Sequence, residues 1–378
     1  RFTLDPDIVN IVYDTFYKLH KDGLIYRGER IVNYCPRCGT AFSQLEVESE
    51  ERTDNLYYLN YGSVQIATSR PETIFADVAI AVNPEDTRYT KLIGSNATIP
   101  LIGRQIPIIA DKMVEKEFGT GALKITPGHD QTDFEIGQRH NLPIISLVDE
   151  TGRMINTPEK YIGMKVEKAR EEIVRDLEEA GVMVKVEPLK HVVGMCYRDR
   201  GILEPMISKQ WFIKVEPLAK RALKAIANKE VRFASKRYEK IAKHWLNNLR
   251  DWNISRQIVW GIRIPAFRCE KCLEWKITKG EKPAKCDCGG SEFIQDVDTF
   301  DTWFSSGQWP FATLKSWGEK DFEYFYPTSV METGYDILPF WVLRMLMLGL
   351  YVTGKVPFEN ILLHGLVRDK EGQKISKS

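Results

Sequence analysis

The chain holds 378 residues, with 53 lysines and arginines against 52 aspartates and glutamates, for a formal net charge of +1. That balance excludes a generally polybasic nucleic-acid binder, and a 43% hydrophobic share with 28% charged residues excludes a disordered chain. At about 150 residues per domain, the length predicts two or three domains with a core that needs no disulfide staples.

Residue 1 is Arg, no charged-then-apolar signal segment follows it, and the polar 371–378 stretch reads as a loop cut short, so an internal fragment is expected. Asp5 and Pro6 read as the cap and first turn of a helix to about Gly23, with Ile8, Val9, Val12, Phe16 and Leu19 at helical spacing. The β-branched runs Leu56–Tyr61, Val64–Thr68, Val78–Val82 and Ile106–Ala110 are punctuated by Gly, Pro and Asn and predict an antiparallel or barrel-like sheet. Lys168–Ala180 reads as an amphipathic helix ended by Gly181, and Leu218–Asn228 and Lys236–Leu249 as further helices. Ile337–Thr353 is almost wholly apolar. With Pro339 near its start and Arg344 near its centre, and shorter than the roughly 20 residues a span needs, it reads as a buried helix and not a membrane crossing. Ile361–Val367 reads as a buried strand. The pattern is a β-rich insertion, roughly 53–192, inside an α/β frame.

The seven cysteines are an odd number. In a long chain without a signal peptide they predict a reducing, cytoplasmic location and not a disulfide framework. Cys269-Glu-Lys-Cys272 and Cys286-Asp-Cys288 form two knuckles that can give four thiolates to a structural Zn²⁺. Cys35-Pro-Arg-Cys38 has its natural partner in Cys196-Tyr-Arg-Asp199, where the fourth ligand is a carboxylate. A Cys₃Asp zinc site and a site that has lost its metal both stay open, so one or two zinc ions are expected. If the two halves meet, the segment between them is an insertion hung from a zinc-pinned base.

Several motifs carry a family resemblance. His364-Gly365 leads into the loop Lys374-Ile-Ser-Lys-Ser378, which resembles the KMSKS signature loop of class I aminoacyl-tRNA synthetases. Asp298-Thr-Phe-Asp-Thr-Trp-Phe-Ser-Ser306, Thr333-Gly-Tyr-Asp-Ile337, Asp251-Trp-Asn-Ile-Ser-Arg-Gln257 and Ser208-Lys-Gln-Trp-Phe212 resemble the valine-specific branch. Thr68-Ser-Arg-Pro-Glu-Thr73 and Phe118-Gly-Thr-Gly-Ala-Leu-Lys-Ile-Thr-Pro-Gly-His-Asp130 resemble that branch's editing (CP1-type) domain. The resemblance runs along essentially the whole chain, in the family's order. The HIGH motif is missing, and KMSKS reads KISKS with both lysines kept.

The resemblance implies an α/β fold: a Rossmann-type catalytic domain, its first half largely missing, with an inserted β-rich editing domain and zinc knuckles. Residues 1–52 would end the first Rossmann half and carry a zinc knuckle. Residues 53–192 would be the editing domain. Residues 193–378 would be the second half, with the Cys269–Cys288 knuckle and the lysine loop. The implied reaction is ATP-dependent activation of valine, with Mg²⁺, and its transfer to tRNA(Val), followed by hydrolytic editing of mischarged threonyl-tRNA(Val). Lys374 and Lys377 would contact the phosphates and stabilise charge in the transition state. His364 and Gly365 would lie at the adenosine. Asp336 would meet the valine ammonium, with Ile337, Trp341 and Trp303 around its side chain. An apolar pocket rejects an added hydroxyl poorly. Valine against threonine, the standard worked case for this enzyme class, gives only about 10²-fold, hence the second site. There Asp133 would orient the substrate ammonium or the attacking water, and Asp130 would bind the threonine hydroxyl. Lys124 would contact the substrate or the tRNA end, with Thr68 and Arg70 on the facing loop. His129 reads as structural and His140 as a helix end.

Three other readings compete: the isoleucine-specific branch, a zinc-knuckle RNA-binding protein, and a freestanding editing hydrolase. A monomeric full-length enzyme without membrane contact is expected. With the first Rossmann half absent, these residues alone are expected not to activate valine, and ATP–pyrophosphate exchange at a normal rate would refute that.

Overall fold

The structure is a computed structural model that describes residues 1–372, 374 and 375. It divides into two compact units, residues 1–28 with 210–378 and residues 29–209.

In the first unit, the helix Pro6–Lys21 starts as its sequence dictates. Asp5 is extended at the N-cap, Pro6 fills the first turn, and Ile8, Val12, Phe16 and Leu19 are fully buried. A three-stranded parallel sheet places Phe358–His364 between Arg232–Phe233 and Thr328–Gly334. The helices Glu216–Ala227 and Lys236–Asn248 fall where they were expected. The expected strand at 361–367 begins earlier and ends at His364.

The apolar run 337–353 departs from a single regular helix. It opens with a 3₁₀ turn, Tyr335–Ile337, continues as a π-helical turn, Leu338–Val342, and only then becomes the α-helix Leu343–Thr353. Pro339 has no N–H to give to a regular ladder, which explains the irregular start. With its opening turn included, Tyr335–Thr353 is long and apolar enough to cross a membrane by length and composition alone. However, 67% of it is buried inside the protein, and Arg344 lies over the Trp252 ring at 3.8 Å. It is the spine of this unit's core. A small antiparallel sheet, Ala266–Cys269 with Trp275–Ile277 and Phe293–Gln295, carries the second cysteine group.

The second unit encloses the 53–192 segment together with the first cysteine group. Its longest feature is an antiparallel ribbon of Val47–Asn60 against Met183–Cys196, in register from Val47–Cys196 to Tyr58–Lys185, with a bulge beyond. Gln65–Thr68 folds back on the inner end of this ribbon. A four-stranded sheet follows in the order Asn96–Thr98, Gln105–Ala110, Ala79–Val82, Ala122–Ile125. The expected antiparallel or barrel-like sheet contains one parallel pairing, Ala79–Val82 with Gln105–Ala110. The long crossover between them, which includes the strand Asn96–Thr98, lets the chain return in the same direction. The amphipathic helix Val166–Glu179 buries Ala169, Ile173 and Leu177 against this unit's core.

Candidate functional site

Inside the 29–209 unit a cavity of about 430 Å³ opens between the Gln65–Thr68 strand and its following turn, the Ala122–Ile125 strand, and the first turn of the helix Gln131–Arg139. The structure brings Thr68, Arg70, Lys124, Asp130 and Asp133 together in its lining, with Met113, Phe118 and Leu189 among its apolar walls.

Asp130 caps the helix, with Oδ1 accepting from the Thr132 and Asp133 N–H groups at 2.7 and 3.0 Å. Its Oδ2 has no partner among the described residues. Asp133 is buried, and its Oδ2 accepts from the Thr126 N–H at 2.8 Å. Asp133 Oδ1 has no partner among the described residues. Burial, and then the neighbouring Asp130 charge, push the Asp133 carboxyl up to about 7, against the pull of Lys124 and the Thr126 N–H. Thr68 accepts from the Arg70 N–H at 3.1 Å, which leaves its hydroxyl proton to donate.

Lys124 lines the cavity and is buried. Its ammonium donates to Thr73 Oγ1 at 2.8 Å, to Asp77 Oδ1 at 3.0 Å and to Thr126 Oγ1, so its three donors are used. Asp77 is fully buried and also accepts from the Thr126 hydroxyl at 2.6 Å and from the Tyr61 hydroxyl at 2.7 Å. Sequence reasoning missed Asp77, Thr73, Thr126 and Tyr61. The available signals were the place of Thr73 and Thr126 inside the two quoted motifs and, for Asp77, a carboxylate inside the largely apolar run 74–82, since such a charge must be partnered when buried.

Arg70 is held from both sides. Its Nε donates to Glu72 at 2.9 Å and its terminal nitrogen to Glu204 at 2.6 Å. Arg170 grips the same Glu72 through two bonds of 2.8 Å. Against the upward push of complete burial, the Arg70 and Arg170 guanidiniums hold Glu72 down at about 2. His129 accepts the Leu147 N–H on Nε2 at 2.7 Å, so its proton is on Nδ1. Burial, with the Arg70 and Lys124 charges, lowers it to about 3. It is a neutral structural residue. His140 ends the helix and pairs with Asp111 at 3.0 Å.

In the other unit, Trp303 packs on Phe340 with ring centroids 5.6 Å apart, and Trp341 Nε1 donates to the Ser306 carbonyl at 3.0 Å. Ile337 ends the 3₁₀ turn and Trp341 lies on the π turn, so the two do not share an α-helical face. Lys374 Nζ contacts Asp336 Oδ2 at 2.6 Å, which joins two groups expected at different ends of the substrates. His364 Nε2 lies 3.1 Å from Glu332 at the end of its strand, and Gly365 follows it. Lys377 lies outside the described residues.

Both cysteine groups converge. The ligand atoms of Cys35, Cys38, Cys196 and Asp199 lie within 4.8 Å of one another, as do those of Cys269, Cys272, Cys286 and Cys288. Sulfur pairs stand 3.7 Å apart in Cys38–Cys196, 3.6 Å in Cys269–Cys288 and 3.7 Å in Cys272–Cys286. These are not disulfide distances. They match the edge of a tetrahedron with zinc–sulfur bonds of about 2.3 Å, which is about 3.8 Å. Without a cation the thiols resist ionising together: burial and its sulfur neighbours push Cys38 up to about 12. The donor sets fit zinc.

The family model of class I tRNA synthetases (I, L, M and V) matches residues 1–378. Similar relatives are valine–tRNA ligases of Treponema denticola and Thermotoga maritima, each 47% identical over 100% of this chain and 44% of the relative. That of Carboxydothermus hydrogenoformans is 48% identical over the same shares. The chain thus spans less than half the length of these relatives.

Proposed function

The chain belongs to the class I tRNA synthetases of the I, L, M and V group, and from that premise we propose that it is part of a valine–tRNA ligase whose 29–209 unit deacylates threonyl-tRNA(Val). The similarity to valine–tRNA ligases along all of this chain supports the amino-acid assignment. The convergence of Thr68, Arg70, Lys124, Asp130 and Asp133 on one cavity carries the deacylase reading.

The roles follow from which atoms are still free. Asp133 Oδ1 takes the ammonium of the misacylated amino acid. A carboxyl poised near 7 becomes fully ionised when a cation arrives beside it. Asp130 Oδ2 accepts the threonine hydroxyl, a bond that valine cannot make, and a polar group left unpaired by valine disfavours the correct ester. The Thr68 hydroxyl donates to the ester or its water. Lys124 holds the floor in place of a direct substrate contact.

In the other unit, the ligase reading gives Lys374 and Lys377 to the phosphates of ATP–Mg²⁺, His364 and Gly365 to its adenosine, and Asp336, Ile337, Trp303 and Trp341 to valine. Lys374 must then leave Asp336 when valine brings its own ammonium. The parallel sheet of 232–233, 358–364 and 328–334 supports a Rossmann-type half, which serves a cytoplasmic enzyme acting on tRNA(Val). Zinc bound by the two cysteine groups would cross-link its knuckles.

The test is hydrolysis of threonyl-tRNA(Val) beside valyl-tRNA(Val), with Asp133→Ala as control. Selective loss of the threonyl ester that the control abolishes supports the proposal. Equal hydrolysis of both esters, or an unaffected control, overturns it.

A further inference from the structure

Among the buried carboxylates that the mechanism above leaves unused, Asp77 is bonded to two residues of the cavity lining, Lys124 and Thr126. Asp77 is completely buried, touches no free space, and yet sits where three donors meet. Its Oδ1 receives the Lys124 ammonium and the Thr126 hydroxyl, and its Oδ2 receives the Tyr61 hydroxyl. Thr126 in turn fixes Asp133 through its backbone N–H. The Lys124 ammonium is fixed by Asp77, Thr73 and Thr126 together.

We propose that Asp77 is the positioning residue of the deacylation pocket: from below the floor it pins Lys124 and Thr126, and through them sets both the place and the charge of Asp133. This rests on the deacylase reading.

Two arguments support it. The first is geometric. Lys124 has a flexible four-carbon stem, and Asp77 is the one charged group among its three acceptors, so without it only the Thr73 and Thr126 hydroxyls hold the ammonium beside the cavity it lines. The second is electrostatic. The charged groups facing Asp133 are Asp130 on its own helix cap, Lys124 and Asp77 on the floor, and Arg70 and Glu115 around the same cavity, with His129 neutral. Lys124 favours the Asp133 carboxylate and Asp77 opposes it. The two effects offset each other only while both charges are present.

The test uses the whole chain, unaltered and as Asp77→Asn. The Asp133 carboxyl is titrated by carbon NMR, and threonyl-tRNA(Val) hydrolysis is followed across pH. In Asp77→Asn the Asp133 midpoint should fall, by about one unit, because Lys124 then acts unopposed. The hydrolysis rate at its plateau should drop about tenfold to a hundredfold as the floor loosens. A residue that only supports the fold would lower the rate without moving either midpoint. The double variant Asp77→Asn/Lys124→Met removes the buried pair without leaving a bare charge, so it stays testable if the single variant does not fold. Its Asp133 midpoint should return to that of the unaltered chain, with the rate still depressed. A midpoint that stays put in Asp77→Asn, or an undiminished rate in both variants, overturns the proposal. Absent hydrolysis by the unaltered chain would instead remove the deacylase reading, while the Asp133 titration would still decide whether Asp77 governs its charge.

Discussion

Replacing Asp133 by Asn should make the protein more stable and the pocket inactive. The carboxyl is held near 7 in the fold, about three units above an unfolded aspartate. A raised acid pKa means that the folded state binds the proton more tightly than the unfolded chain. The fold therefore loses stability as pH rises from the unfolded pKa near 4 to the folded one near 7, and above 7 the loss is constant. At 1.36 kcal/mol per unit, the full cost is on the order of 4 kcal/mol. Asparagine keeps an oxygen for the Thr126 N–H but carries no charge to bury. Urea denaturation of both chains at several pH values should show Asp133→Asn ahead by about 4 kcal/mol at pH 8, with the gap closing towards pH 4. The variant should also lose threonyl-ester hydrolysis. A gap that is absent at pH 8, or that does not change with pH, would refute the reasoning.

Glu72→Gln should destabilise the 29–209 unit by about 3–5 kcal/mol, since it leaves Arg70 and Arg170 facing a neutral group in the interior. The acid side has the opposite sign from Asp133. Glu72 is held down at about 2, so its contribution is complete above the ordinary glutamate range near 4.5 and is lost as pH falls towards 2. Acid titration followed by circular dichroism should show that slope in the unaltered chain and not in Glu72→Gln. Metal analysis of the purified chain should find about two zinc ions. Asp199→Ala should lower the count to one and leave the Cys269–Cys288 group loaded; a count of one in both chains would mean that the first group holds no metal. Gly128→Ala should cost more than about 2 kcal/mol and slow hydrolysis. An added Cβ would stand 2.2 Å from the Ile145 carbonyl oxygen, and the displaced turn leads directly into Asp130.

The local elements that were legible in the sequence carry their own punctuation. The helix Pro6–Lys21 has a cap, a first-turn proline and apolar residues at turn spacing, so no distant contact was needed to see it. The ribbon strand Val47–Asn60 was not legible in its outer part. Glu48, Ser49, Glu50 and Glu51 face solvent, so no apolar alternation marks them, and their partners lie at 192–195, far along the chain. The π turn was hidden because an apolar run gives no period, and only Pro339 hinted at it. At the pocket, motif resemblance named five of the lining residues, but it could not say which atoms were free. Lys124 was expected at the substrate or the tRNA end, and its bonds to Thr73 and Asp77 were not legible because those acceptors come from another stretch of chain.

The distribution of charge beneath the cavity says more about its purpose than any single residue does. Arg70 lies between Glu72 and Glu204, Glu72 between two arginines, and Lys124 between Asp77 and two hydroxyls. A low-dielectric interior requires such pairing, and here it is met for each of these groups. Asp133 is the exception: it is buried, has one free oxygen, and has another acid beside it at the helix cap. An unpaired carboxyl in that position costs the empty fold stability. A cation entering the cavity recovers that stability, which converts a local instability into affinity. An α-amino acid held as an ester presents one ammonium and no carboxylate, whereas the free amino acid brings a carboxylate that Asp130 and Asp133 would repel. Under the deacylase proposal, the same two acids would admit the ester and turn away its hydrolysis product, so the pocket would release the amino acid once the ester bond is cut.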